Sequence, residues 1–289
     1  MPQIDRALIL KAATTIGVLG SGAHSAPRII AALCNPKVSA DQVAVLIAQE
    51  PALYVRVLRV ANSAYYGQSR SITNVERALV LLGLDAVRGI AAAACLDRTL
   101  SLTGKCVLLN MQALIHHSHA TAAAAESLAR IVYPSLAPEA FIAGLLHNLG
   151  IAAQIQLDTP GIQAMIELRA SGDNRDVREL ELEKSAVNHA ECSAVIFEAW
   201  QLPENLIAGT RHHHNPMLAP EAHRPLAALV NLGANLGLAA GITYVLEPKP
   251  TDRNETAMAY LGLNSEQMDS VAEKLPERVA ELSAALSPG

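Results

Sequence analysis

The stretch FIAGLLHNLGIAA, Phe141 to Ala153, decides how the rest of the chain is read. It is apolar on every face, as expected of a helix buried all round. At 13 residues it is too short to span a bilayer. His147 and Asn148 interrupt it, flanked by Gly144 and Gly150. Each glycine costs a helix interior about 1 kcal/mol relative to alanine, a cost tolerable where another backbone or a ligand must come close. A buried polar group left unpaired costs about 1–3 kcal/mol, so His147 and Asn148 must meet something. Neighbouring side chains are one answer; a metal or ligand is the other.

Working outward, the remaining segments read as helices joined by short loops, with no period-2 strand pattern. The fold class is all-α. Ser39–Gln42 and Thr73–Glu76 read as capping boxes, and Pro51 fits the first position of a helix. Gly83 reads as a left-handed cap before a helix that Asp85 opens. A single helix is expected from Asp176 to Trp200, and two more near 254–261 and 265–286. Tyr65-Tyr66-Gly67 reads as a turn and Pro248–Pro250 as a linker.

The 289 residues are enough for one large domain or two smaller ones. They are 51% hydrophobic and only 3% aromatic, so alanine, leucine and valine must fill the core. A net charge of −5 argues against broad capture of nucleic acid. The glycine-centred helix pair around Gly83 carries Arg88 and Arg98 among alanines, too few polar groups to read bases. Nucleic acid is therefore not an expected partner. Cys34, Cys95, Cys106 and Cys192 form no CxxC pair, which fits reduced thiols and a cytoplasmic protein. No membrane span is expected.

Ten histidines are clustered on helices with apolar faces. Several imidazoles from separate helices suggest a shared polar centre, and imidazole suits zinc, iron and nickel. At these residues the chain resembles the HD superfamily of metal-dependent phosphohydrolases, and more closely its HDOD branch. LRVANSAYYG (58–67), the stretch from Ile72 to Gly83, EPAL (50–53), AGLLHNLG (143–150), WQLP (200–203) and HHNP (213–216) carry the resemblance. Together they cover roughly residues 20–240.

That resemblance implies an HD-domain-like helix bundle with an N-terminal helical subdomain. It divides the chain into 1–100, a core at 101–240 and a helical extension at 241–289. By motif, His117, His147, His189, His213 and His214 match metal-ligand histidines of the superfamily. Asn148 and Asn235 stand where its two key aspartates should be, and the glycine-tyrosine-proline motif of the cyclic-di-GMP-cleaving branch is absent after His214. A metal-activated water needs a charge-balanced site, and no protein anion is identified here to balance two metals. No catalytic residue and no required cofactor are therefore assigned; a single zinc, nickel or iron ion remains open. The implied role is a signal-transduction module, associated with response regulators, that binds a partner protein without turnover. A small anionic ligand or nucleotide, held by Arg211, Asn148 and Asn235, is the further expectation. The alternative is a metal-dependent phosphohydrolase with a histidine-rich, carboxylate-poor site.

Overall fold

The structure, a computed structural model, describes residues 6–13, 25–35, 37–63, 71–102, 109–247 and 253–286. Among them there is no strand, only one isolated bridge between Tyr244 and Glu247. The protein is all-α. In the N-terminal half the helices are α1 (Arg6–Ala13), α2 (Ser25–Cys34), α3 (Ala40–Ala48), α4 (Pro51–Ala61), α5 (Val75–Leu82) and α6 (Leu84–Leu102). Next come α7 (Met111–Val132), α8 (Ala137–Leu146), α9 (Leu149–Leu157) and α10 (Thr159–Ala170). The series continues with α11 (Val177–Ser185), α12 (His189–Ala199), α13 (Glu204–Arg211) and α14 (Arg224–Ala239). It ends with α15 (Glu255–Leu261) and α16 (Ser265–Leu286).

The centre is α7. Its run of buried alanines, Ala120 and Ala122 to Ala125, presents little more than backbone. Helices α8 and α14 close on it from two sides, and α16 lies against it as well. A Cβ on Gly144 would sit 2.9 Å from the Ala122 Cα, so α8 approaches α7 at a distance only glycine permits. Apolar packing is continuous from Ile30 in α2 to Leu282 in α16. A smaller cluster joins Ile151, Ile155, Met165 and Leu180 to Tyr244 and Leu246. The stretch Pro134–Leu157 is long and apolar enough to cross a membrane by length and composition, yet 89% of its apolar 18-residue window is buried inside the protein.

Local chemistry sets many of the boundaries. Ser39 and Gln42 form the expected capping box of α3, and Pro51 sits at the first turn of α4. The second box is corrected: Asn74, not Thr73, caps α5, its side chain accepting from the Arg77 N–H. Gly83 ends α5 with φ +85° and ψ 163°, a backbone that glycine takes readily but not the left-handed helical cap expected. Asp85 lies in the first turn of α6 rather than ahead of it. Arg88 is turned back onto the protein, 3.2 Å from Asp85 and 3.0 Å from the Asn35 carbonyl. The Tyr65–Gly67 turn and the Pro248–Pro250 linker lie outside the described residues.

Two further expectations are corrected, and both corrections build the site. The Phe141–Ala153 helix breaks at His147-Asn148 into α8 and α9. The cause is Ser193 of α12, whose hydroxyl accepts from the Gly150 N–H at 2.7 Å and donates to the His147 carbonyl at 2.9 Å. A side chain inserted into the ladder replaces the helix's own bonds and kinks it. The Asp176–Trp200 helix also breaks, at Ala186, which takes a left-handed conformation with φ +62°. Asn188 then caps α12 by accepting from the Glu191 N–H, which leaves His189 at the first helical position.

Candidate functional site

The two breaks and the loop after α13 bring five imidazoles together. His117 comes from the buried face of α7, His147 from the α8–α9 kink and His189 from the start of α12; His213 and His214 come from the turn after α13. Ring centroids run 5.4 Å from His117 to His147, 4.9 Å from His147 to His213 and 4.1 Å from His213 to His214. His189 closes the cluster, 5.3 Å from His213 and 5.0 Å from His214. His117, His147, His189 and His213 are buried, while His214 is partly open to solvent.

The hydrogen bonds orient the rings. Nδ1 of His147 lies 2.7 Å from the Gly144 carbonyl, Nδ1 of His213 lies 2.7 Å from the Thr210 carbonyl, and Nδ1 of His117 lies 3.1 Å from the Ile242 carbonyl. Nδ1 of His189 lies 2.9 Å from the Glu181 carboxylate. A carbonyl or an ionised carboxylate only accepts, so each of these Nδ1 atoms carries a proton, and Nε2 keeps a lone pair wherever the ring is neutral. The Nε2 atoms of His189 and His213 face each other at 3.4 Å, and that of His214 lies 3.0 Å from His189. Two facing lone pairs repel unless a cation or proton comes between them. One nitrogen from each of His189, His213 and His214 lies within 4.8 Å of the others, close enough to share one metal ion. His117 and His147 stand behind this triad.

The electrostatics favour neutral rings. Burial pushes His213 down to about 3, aided by the charge on His189. It also holds His147 and His214 well below the usual histidine value, with His213 adding to both. His117 is lowered too, chiefly by burial. His189 differs. Burial is the largest single influence and lowers it, but the charge and hydrogen bond of Glu181, together with the charge of Glu247, raise it above the ordinary value.

Glu181 was not anticipated, and the expectation of a centre without protein anions is corrected by it. It is completely buried, its two oxygens 2.9 Å from His189 Nδ1, and one of them accepts from the His189 backbone N–H at 3.1 Å. Glu247 is a second carboxylate near the cluster. It accepts from the Tyr244 hydroxyl at 2.9 Å and raises His117 by its charge. The Tyr244 ring lies 5.2 Å from His117, and its hydroxyl faces the Asn148 amide. Burial, with Glu247 beside it, pushes that hydroxyl well above the usual tyrosine value.

Of the three residues expected to hold an anion, Asn148 follows His147 at the α8–α9 kink; it is buried, and neither amide atom makes a well-formed hydrogen bond. Asn235 lies half-buried on α14, and one turn earlier Asn231 donates to the His213 carbonyl at 2.8 Å. Asn254, capping α15, donates in turn to Asn231 at 2.9 Å. Arg211 pairs with Glu198. The guanidinium that acts on His189, His213 and His214 is Arg178, held by Asp176 at 2.7 Å.

An uncharacterized protein of Treponema pallidum (strain Nichols) is 29% identical over 202 residues, 69% of this chain but only 38% of that protein's length. An HDOD domain protein of unknown function from Geobacter sulfurreducens superposes with a TM-score of 0.78 at 23% identity, covering 97% of this chain and 99% of that one. A candidate phosphohydrolase from Shewanella amazonensis SB2B gives 0.74 at 22%, covering 97% and 98%. A candidate signal-transduction protein from Marinobacter aquaeolei VT8 gives 0.77 at 21%, covering 97% and 64%. At these identities the solved structures speak for the fold. Residues 19–216 match the HDOD domain family over more than half of the sequence, and the chain belongs to that family.

Proposed function

We infer that the protein is a regulatory binding module whose histidine pocket holds one divalent metal ion and does not turn over a phosphoester. The observation that carries this reading is the convergence of His189, His213 and His214, with an amide residue, Asn148, next in sequence to His147, whose ring lies 4.9 Å from His213. Three neutral imidazoles suit one zinc, nickel or iron ion. The donor set fits such an ion: the Nδ1 atoms of His189 and His213 are tied to oxygen acceptors, which leaves Nε2 aimed inward, as outer hydrogen bonds usually orient metal-bound histidines. His189, His213 and His214 would hold the ion, and a bound ion would supply Lewis acidity at that point.

The chain's own residues argue against hydrolysis. The superfamily's acidic position next to His147 carries an amide, so the side chain of Asn148 can neither take a proton from water nor bridge a second metal with a negative charge. Glu181 has both oxygens engaged on His189. Glu247 is engaged by Tyr244. Occupancy of the pocket would instead set the geometry of the His213-His214 turn, and through Asn231 and Asn254 that of α15. A partner protein reading that surface is the output of this reading; a small anionic ligand or nucleotide beside Arg178 and Asn148 is its second possible input. The name of the Marinobacter protein, a candidate signal-transduction protein, points the same way.

The test is metal analysis of the purified chain together with a screen against generic phosphodiesters and cyclic dinucleotides. About one equivalent of metal and no turnover is the expected result. Metal-dependent cleavage that disappears in His147→Ala would overturn the reading in favour of a phosphohydrolase, as the Shewanella protein's name suggests for that protein.

A further inference from the structure

We propose that Glu181 is the positioning residue of the imidazole triad, clasping His189 and supplying the negative charge against which His189, His213 and His214 hold one divalent cation. This deepens the metal-binding reading above and rests on it.

The clasp is double. Glu181 takes the ring proton of His189 at Nδ1 with both oxygens at 2.9 Å, and the His189 backbone N–H with one oxygen at 3.1 Å. Ring and backbone are thereby fixed together. The carboxylate works on the edge of the ring away from Nε2, so it cannot itself reach an ion held there. It acts through His189, by fixing the tautomer and strengthening Nε2 as a donor.

Its location demands a counter-charge. Both Glu181 and His189 are completely buried. An ionised carboxylate in such a place is costly unless positive charge lies near. The nearest guanidinium, Arg178, is already neutralised by Asp176. The N-terminus of α12 offers partial positive charge through the His189 N–H. The His189 ring supplies positive charge when it carries a second proton, and a divalent ion on Nε2, one imidazole ring away, would take that proton's place. Glu247 adds a second negative charge at the rim, so one divalent ion would leave the centre close to neutral.

The sequence places Glu181 for this role. In α11 the buried positions are Val177, Leu180, Glu181 and Ser185, so the glutamate lies on the apolar face of an otherwise charged helix. Asn188, three residues ahead of Glu191, caps α12 and sets His189 as its first residue, facing that glutamate.

The experiment uses the full chain and zinc alone as the probe, titrated in competition with a chromophoric chelator. Glu181→Gln, which keeps shape and removes charge, should weaken zinc 10- to 100-fold, the range usual for loss of such an outer partner. In a His189→Ala background the same substitution should cost nothing further, because its effect passes through His189. Glu181→Asp, which keeps the charge on a shorter reach, should restore part of the loss. With cobalt(II) in place of zinc, the visible ligand-field band should shift in Glu181→Gln, which a packing role would not cause. Wild-type zinc affinity in Glu181→Gln overturns the proposal, and so does an equal loss in the His189→Ala background. Should Glu181→Gln fail to fold, unchanged affinity in Glu181→Asp overturns it. Wild-type protein that takes up no zinc overturns the metal-binding reading, and this proposal with it.

Discussion

Asn148 shows what one atom pair changes. An aspartate there would bring a second negative charge to a position whose amide makes no well-formed hydrogen bond. Without metal, Asn148→Asp should lower stability by about 1–3 kcal/mol, because the new carboxylate is buried. With metal, the variant should recover more stability than wild type does under the same addition. Urea denaturation with and without zinc measures both, and equal metal response in the two proteins counts against the placement of Asn148 at the metal. Ser193 is the other decisive residue. Its hydroxyl satisfies the Gly150 N–H and the His147 carbonyl at the α8–α9 kink. Ser193→Ala leaves two buried backbone groups unpaired, so a loss of about 2 kcal/mol or more is expected in the urea midpoint. A loss below about 0.5 kcal/mol would mean that the backbone closes the gap by itself.

Helices show where the sequence could be read and where it could not. Apolar periodicity gave an all-α chain, and the caps at Ser39 and Pro51 stand where their chemistry places them. The five histidines matched by motif do meet. What stayed hidden was contact between helices far apart in the chain. Nothing in FIAGLLHNLGIAA announces that a serine 43 residues beyond Gly150 will enter its ladder. The α11–α12 break was more accessible, because NHAE (188–191) is a helix-start pattern in the middle of what reads as one helix. The same sequence rhythm puts Glu181 on a buried face, a signal overlooked because a glutamate is rarely fully buried. Packing between α9 and α12 then fixes the site. A Cβ on Gly150 would lie 2.0 Å from the His189 carbonyl oxygen, an impossible approach. Gly150→Ala should therefore push the two helices apart, lowering the melting temperature and weakening zinc together. Unchanged zinc affinity would show that His189 is not held by this contact.

For the whole molecule, the neutral imidazoles link stability to pH. His117, His147, His213 and His214 all have folded values below the ordinary one, chiefly because burial penalises their charged forms. A group lowered in this way contributes stability that is present above its unfolded value, near 6.5, and lost as pH falls. Below that point the unfolded chain binds protons that the folded protein refuses. Each such group lowers stability progressively as pH falls toward its folded value, which for His213 is about 3. His189 is raised, so its contribution is complete below the unfolded value and is lost as pH climbs through the folded one. It is protonated in both states below pH 6.5 and does not offset the acid loss. Chelator-treated protein should accordingly lose stability from about pH 6.5 downward, well above the range where carboxylates titrate. His213→Asn should flatten that slope by about one proton. Zinc should raise the melting temperature at pH 7.5 and progressively fail to do so toward pH 5, since protons compete for the same nitrogens. A melting temperature flat from pH 7.5 to 5 in chelator-treated protein would mean that water or counter-charge reaches these rings, and that the centre is not the dry, neutral pocket its hydrogen bonds describe.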